Sequence, residues 1–302
     1  MSQQNQNAAR FADNTLMQSA GVPEQMFPTS ALYIVGLPIG NAADITLRSL
    51  WILDLCDLIA CEDTRETRKL LDRYGIHTPT VSVREHNERS ATESLLDKLS
   101  AGARIALVTD AGTPAVSDPG AKAVDVVRQA GFQVIPVPGA CAAVTAMSAS
   151  GLDSYTFTFV GFVPPTAKAR KELLATYASR NDAFILYEAP HRLKELLKDL
   201  AAALDADRRV VVARELTKRF ETFEAMLAQD LPEWVEKHEA RGEYVIVVDM
   251  HQGKNEGLDE SAMKWARELV KELPLSRAAA VTAKVTGIKR DAVYRLLSEL
   301  ER

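Results

Sequence analysis

What this chain lacks narrows it first. Among 302 residues only three are cysteine: Cys56, Cys61 and Cys141. An odd count without paired spacing excludes a disulfide framework and a structural zinc site. It points instead to a reducing, cytoplasmic compartment. The five histidines are scattered, with no two at a ligand spacing, so no metal site is expected. No apolar run approaches the ~20 residues that span a bilayer, so no membrane association is expected. The start, Met1 to Ser30, is rich in Gln and Asn and has no apolar stretch of signal-peptide type. It reads as a disordered polar tail. A basic surplus is also missing. The formal net charge of −5 argues against a dedicated nucleic-acid-binding protein, although local patches rather than net charge decide binding.

What is present is ordinary globular material, 47 % hydrophobic and 25 % charged. The length suffices for two domains and a small appendage. Short apolar runs at Ala31–Gly36, Asp57–Cys61, Thr80–Val83, Arg104–Thr109 and Gln133–Val137 read as buried strands. Helical patterns separate them: from Asp44, as cap, through Leu53, then Thr64–Tyr74, Thr92–Ser100, Asp118–Ala130 and Ala140–Ser150. This alternation over about 120 residues implies a parallel sheet with helices on both faces. Ligands bind such sheets at the carboxyl ends of the strands. After a Gly- and Pro-containing stretch at Gly151–Thr166, which reads as strand plus linker, comes a second α/β unit. Its expected strands are Ala183–Tyr187, Arg209–Ala213 and Tyr244–Asp249, and its expected helices Lys168–Ser179 and Arg192–Leu204. A hydrophilic linker, His251–Gly257, leads to an amphipathic helix over Asp259–Leu273. Pro274 breaks it, and a helix–turn–helix pattern follows over Ser276–Thr286, Gly287 and Asp291–Leu300. The expected organisation is therefore a tail (1–30), two α/β domains (31–151 and 152–250) and a small helical domain (257–302).

Three loops at strand ends carry the chemical signal: VGLPIGN at Val35–Asn41, VTDAGTPAVSDPG at Val108–Gly120 and VPGACAA at Val137–Ala143. Small residues let backbone approach a ligand and free N–H groups to donate. Neither of the first two loops is a P-loop or a dinucleotide fingerprint, and neither holds a basic phosphate partner. A ligand without phosphates fits better than a nucleoside triphosphate. The second loop also reads as a plain strand-to-helix turn capped by Asp118.

Together, GLPIGNAADIT, CEDTR, TDAGTPAVSDPG, PVPGACAA, YEAPHR and RELTK resemble the tetrapyrrole-methylase superfamily. They are most similar to its branch that methylates a ribose of small-subunit ribosomal RNA. The resemblance runs from about Leu32 to the C-terminus. VGLPIGN departs from the glycine–proline–glycine turn of many members. The resemblance implies an α/β, two-domain tetrapyrrole-methylase-like fold with a donor cleft between the domains, plus a small C-terminal helical domain. It implies S-adenosyl-L-methionine as methyl donor, near Pro38, Ile39, Asp110, Thr113, Pro114, Ala115, Val116, Ser117, Cys141, Ala142, Ala189, Leu216 and Thr217. It implies a homodimer and, as acceptor, the 2′-hydroxyl of a cytidine in the decoding region of 16S ribosomal RNA within an assembled small subunit.

A weakly acidic hydroxyl gains from a base, of order 10²–10⁴-fold. Glu62, Asp63, Glu188 and Glu215 are the candidates, with Lys218 placed to lower the alkoxide's energy. The acids of Glu62–Arg65 also suit a helix N-terminus, and Glu188 suits the cap of the helix after Pro190. Candidate RNA contacts are Arg65, Arg68, Lys69 and Arg73 on one helix, Arg192 and Arg219 beside the second-domain motifs, and Lys289 and Arg290 in the terminal segment. Lys168, Arg170, Lys171 and Lys194 belong to the same runs. Each run taken alone is more often a solvated face, and the terminal segment also reads as a stabilising domain or dimer contact. His86 and His191 read as hydrogen-bonded structural residues. Two rival functions remain open: a corrin or porphyrin methylase, and a non-catalytic RNA-binding module on a methylase fold.

Overall fold

The computed structural model describes residues 9–84, 88–250, 260–286 and 288–300. Residues 1–250 form one compact unit and 251–302 another. Within the first unit, β1 (Ala31–Val35), β2 (Leu58–Cys61), β3 (Thr80–Ser82), β4 (Arg104–Leu107) and β5 (Gln133–Val137) form a sheet ordered β3-β2-β4-β1-β5. Every pairing in it is parallel. Alternation along β1 sends Tyr33 and Val35 to one face and Leu32 to the other. The first face is closed by α3 (Leu47–Leu55) and α4 (Thr64–Arg73) through Leu50, Ile52, Leu53 and Leu71. The second is closed by α5 (Glu88–Ser100) and α6 (Ala121–Gln129) through Leu95, Leu99 and Val127. Each such side chain, fully buried, contributes about 1.5–3 kcal/mol.

The polar tail expected over 1–30 is in place from residue 9 onward. α1 (Ala9–Ala12) and α2 (Thr15–Ser19) precede β1, and the Asn14 side chain caps α2 by accepting from Leu16 and Met17 N–H at 3.0 and 3.2 Å. Met17 and Val22 enter the first core, and Phe27 lies 6.3 Å from Trp51, ring to ring. The Arg104 guanidinium donates to the Phe27 carbonyl at 2.9 Å. A few apolar residues amid Gln and Asn thus anchor the segment.

The second sheet is mixed. It comprises β6 (Phe157–Phe162), β7 (Ala183–Glu188), β8 (Arg209–Arg214), β9 (Thr222–Leu227) and β10 (Tyr244–Val248), ordered β6-β7-β10-β8-β9. Only β6 and β7 run parallel; β10 runs against both β7 and β8, and β9 against β8. α8 (Ala167–Ala178), α9 (Pro190–Ala203) and α10 (Leu231–Lys237) cover one face, with Leu174, Leu193 and Val235 against Phe184, Leu186 and Val212. The other face is covered by α7 (Ala142–Ala149), whose Ala143 and Ala146 pack on Ile185, Val211, Ala213 and Val247. That helix precedes the expected boundary near Gly151, yet it serves the second sheet.

Two helix starts differ from expectation. Thr46, not Asp44, caps α3, accepting from Ser49 N–H at 3.0 Å; Asp44 lies in a short 3-10 turn capped by Asn41. α6 starts after Gly120, which holds φ +125°, so Asp118 stays in the preceding loop.

In the second unit, α11 (Glu260–Glu272), α12 (Leu275–Thr286) and α13 (Arg290–Leu300) enclose Ala266, Ala278, Ala279, Ile288, Val293 and Leu297. The expected cap Asp259, turn residue Gly287, linker His251–Gly257 and His86 lie outside the described residues. No helix among the described residues is long and apolar enough to cross a membrane.

Candidate active site

A cavity of about 420 Å³ opens between the two sheets of the first unit. From the first sheet it takes the three loops after β1, β4 and β5: Ile39, then Ala111–Thr113 and Val116–Asp118, then Cys141 with Ala142. Those loops are locked together. Leu37 and Gly112 exchange backbone hydrogen bonds at 2.8 and 3.1 Å, and Thr113 Oγ1 donates to the Ala140 carbonyl at 3.1 Å. Gly36 and Gly139 touch backbone to backbone, since a Cβ on Gly139 would lie 2.7 Å from Gly36 Cα. Glycine is required there because no side chain fits.

From the second sheet come Phe162, Tyr187–Pro190, Leu216 and Glu243–Val245. β10 is antiparallel, and Tyr244 sits opposite both Glu188 and Arg214. The start of β10 therefore lies beside the ends of β7 and β8, and all three meet the cavity. The halves interlock: a Cβ on Gly40 would lie 2.5 Å from Lys218 Cγ. Among the described residues five non-glycines hold positive φ, and four of them, Ala115, Ser117, Glu215 and Thr217, lie in the loops after β4 and β8. Such backbone costs about 1–3 kcal/mol per residue and concentrates where ligands are clamped.

Of the expected donor residues, Ile39, Thr113, Val116, Ser117, Cys141, Ala142, Ala189 and Leu216 line the cavity. Pro38, Asp110, Pro114, Ala115 and Thr217 are not among its lining. Asp110 accepts from the Asp63 N–H at 3.0 Å, which ties the start of α4 to the loop after β4. Thr217 Oγ1 is buried with no hydrogen-bond partner among the described residues.

The candidate catalytic groups separate by environment. Asp63 caps α4 and meets the Arg65 guanidinium at 2.7 Å, and these hydrogen bonds hold its carboxyl well below the usual range. It is a weak base and not a lining residue, as a helix-capping acid would be. Glu62 is pushed up by desolvation and by Asp110, and it does not line the cavity. Glu188 lines it, but its side chain is closed off from solvent. Oε1 accepts from Ala189 N–H at 2.9 Å and Oε2 faces Arg192 at 3.3 Å. Burial pushes its carboxyl up. It anchors the start of α9. Glu215 is partly desolvated, yet hydrogen bonding to Lys218 holds its carboxyl down. Lys218 bonds Glu215 at 2.9 Å and Glu243 at 2.8 Å. Its ammonium is likewise partly desolvated and kept protonated by both partners. It is a clasp between the β8 loop and the β10 start, and it is not a lining residue.

Sequence reading passed over two lining carboxylates, Glu243 and Asp118, and of these Asp118 is the one without a basic partner in the site among the described residues. It lines the cavity, and burial, with Glu62 and Asp110 nearby, pushes its pKa up to about 6. Read as a helix cap, it gave no chemical signal; the Gly120 that starts α6 two residues later was the available clue. Tyr187 and Phe162 were likewise hidden inside strands.

Among the basic candidates, Arg65, Lys69 and Arg73 are exposed on one face of α4; among the described residues Arg65 pairs with Asp63 and Lys69 with Glu66. Arg68 instead donates to the Ile76 and Thr78 carbonyls, at 3.2 and 2.8 Å, and braces the turn after α4. Arg192 turns inward to Glu188 and the Val163 carbonyl. Arg170 is buried against Asp199 at 2.8 Å, so it is no surface contact; Lys171 joins the same acid and Lys194 pairs with Glu236. Lys168 and His191 are exposed. Arg219 is exposed and lies over the Phe220 ring at 5.5 Å, and Lys289 and Arg290 are exposed in the second unit.

Comparison with known proteins bears on this arrangement. Residues 31–232 match the family model of tetrapyrrole (corrin/porphyrin) methylases, and residues 256–301 match that of the RsmI C-terminal HTH domain. The chain is 45 % identical over 270 residues to ribosomal RNA small subunit methyltransferase I of Escherichia coli O157:H7, covering 89 % of this chain and 94 % of that one. It is 47 % identical over 267 residues to the same-named protein of Vibrio cholerae, covering 87 % and 93 %. Among solved structures, a cobalt precorrin-4 methyltransferase superposes with a TM-score of 0.56 at 18 % identity, over 74 % of this chain and 98 % of that one. A uroporphyrin-III C-methyltransferase from Thermus thermophilus gives 0.54 at 21 %, over 73 % and 94 %. These low-identity likenesses concern the fold. With a methylase model over two thirds of its length and relatives above 40 % identity over nearly all of it, the chain belongs to the tetrapyrrole methylase family, in the branch of ribosomal RNA small subunit methyltransferase I.

Proposed function

We propose that this chain is an S-adenosylmethionine-dependent methyltransferase of small-subunit ribosomal RNA, and that its acceptor is the 2′-hydroxyl of a cytidine in the decoding region. The observation that carries the reading is the cavity between the sheets. Its volume falls within the roughly 300–1,000 Å³ of small-molecule sites, and its walls are mostly apolar with a few polar groups. Small side chains at Ala111, Gly112, Cys141 and Ala142 leave backbone groups accessible, which suits a nucleoside with an amino-acid arm. The donor supplies a methyl group activated by its attachment to a cationic sulfur.

This chain's residues supply placement and charge. Of the lining carboxylates, Glu188 is closed off and Glu243 is joined to Lys218. Asp118 is the remaining anion able to face the donor's positive charge. Holding acceptor oxygen and methyl carbon in line supports up to roughly 7–11 kcal/mol of the barrier reduction. The exposed basic face of α4 starts where Asp63 is tethered to the donor loop, which suits a phosphate backbone arriving at the cavity mouth.

The test is methyl transfer from labelled donor to small subunits isolated from cells lacking this protein, followed by digestion and mass analysis of nucleosides. A 2′-O-methylated cytidine is expected. Donor binding without transfer to any subunit would redirect the reading to a corrin or porphyrin acceptor. Action as a homodimer on the assembled subunit belongs to the same proposal. Sedimentation, and comparison of naked RNA with subunits as substrate, test those two parts.

A further inference from the structure

Phe162 ends β6, an edge strand of the second sheet, and lines the cavity with 55 % of its surface exposed. In a regular strand, residues 159 and 162 point to opposite faces. Here they do not. The β6–β7 register slips between Phe159 and Gly161, and Gly161 holds φ +75°. A Cβ at Gly161 would lie 2.7 Å from Ser117 Oγ, so only glycine lets the strand bend this close to the donor loop. The result is that Phe159 and Phe162 both meet the Tyr187 ring edge-on, with centroids 4.9 and 5.7 Å away. Tyr187 is itself fixed, its hydroxyl accepting from the Ala143 N–H at 2.9 Å. Bulges of this kind re-aim side chains beside active sites. This one turns a large, braced aromatic ring toward the cavity and leaves it more than half uncovered.

We propose that Phe162 is the platform on which the base of the acceptor nucleotide stacks while its ribose is presented to the cavity; this rests on the RNA methyl-transfer reading above. Small-ligand sites enclose about 70–90 % of their ligand. A ring this exposed therefore belongs to the mouth, where a polymer arrives, rather than to the donor's enclosure. Unstacked bases in RNA are held on aromatic faces in this way. Such stacking is tolerant of base identity, so the platform sets position and affinity and leaves the choice of cytidine to other contacts.

The experiment compares the full-length wild type with Phe162→Leu and Phe162→Trp. Donor affinity is measured by calorimetry with S-adenosylmethionine, and transfer is measured to unmodified small subunits. Leucine keeps apolar bulk without a π face; tryptophan keeps the face. For Phe162→Leu, kcat/KM for subunits is expected to fall roughly 5- to 150-fold, the range for losing one base–aromatic stack. Donor affinity is expected to stay within about twofold, and Phe162→Trp to retain activity within a few-fold. A parallel loss of donor affinity would assign the ring to the donor, and unchanged transfer in Phe162→Leu would make it a bystander; either overturns the platform alone. A wild type that transfers nothing to subunits would overturn the functional reading and the platform with it.

Discussion

Asp118 sits in a loop where burial and two neighbouring acids all oppose its charge, and this sets up two opposite dependences on pH. Its pKa is raised from the ordinary carboxylate range to about 6. A carboxyl raised on folding favours the folded state below its unfolded pKa, and that contribution is lost as pH rises through the folded pKa. The ligand-free protein therefore carries a cost above pH about 6 that Asp118→Asn removes. The variant is expected to melt higher than wild type at pH 8 and equally at pH 4, by calorimetric scanning. Donor binding should respond the other way: wild-type affinity rises from pH 5 to 7 as the carboxylate forms, and the variant binds weakly and without that slope. Thr113 belongs to the same wall, held by its bond to Ala140. Thr113→Arg is expected to fill the cavity and abolish donor binding. Calorimetry showing wild-type affinity in a folded Thr113→Arg protein would remove this loop from the donor site. The small-residue loops were legible because their composition is unusual. Asp118, Phe162 and Tyr187 were not, because an acid before a helix and aromatics in strands each have a commonplace structural reading.

At the level of elements, the pinch between the loops after β1 and β5 is the most sensitive joint. A methyl group at Gly139 meets backbone at Gly36, which cannot rotate away. Gly139→Ala is expected to cost about 1–3 kcal/mol, as overpacking does, seen as a lower urea midpoint with an unchanged slope. Helix α4 makes a different prediction. Arg65, Lys69 and Glu66 are exposed, while Asp63 is half-buried; ion pairs with an exposed cation contribute little, so both cations are free to exchange to phosphate. Reversing Arg65 and Lys69 to Glu should weaken subunit binding and flatten its salt dependence by about two counterions, with donor affinity intact. Equal affinity at low salt would take this helix off the RNA surface. Most elements of the first sheet were readable from the alternation of apolar runs and helical spacing. β9 and α10 were missed for definite reasons. TFEAML is an edge strand with mixed, half-covered sides, and LPEWVEK is short and contains proline. Both are made regular by tertiary contact with β8 and α9 rather than by local pattern.

For the whole molecule, the rule that ligands lie at the carboxyl ends of parallel strands located half of the cavity and missed part of the rest. Glu243–Val245 stand at the amino end of a strand, and they reach the cavity because β10 runs against β7 and β8. Strand direction is not written in local composition, so those residues could not be found from it. The tail was misread for a related reason: its anchors, Met17, Val22 and Phe27, are few and matter only once Trp51 and the first sheet are in place.

The position of α7 bears on how this chain could be divided. By sequence it closes the first half, and by packing it closes the second sheet. A gene cut in the exposed turn around Tyr155 would give two polypeptides, each with a wound: one carrying α7 with its alanine face bare, the other with Ile185, Val211 and Val247 open to water. Expressed apart, such halves should be insoluble; co-expressed, they should recover donor binding only by re-docking α7. A cut at Gly139–Cys141 would keep the helix with its sheet and break the donor wall instead. The connection between the halves is thus an overlapping splice, and the segment from Gly139 to Gly151 is inherited by both.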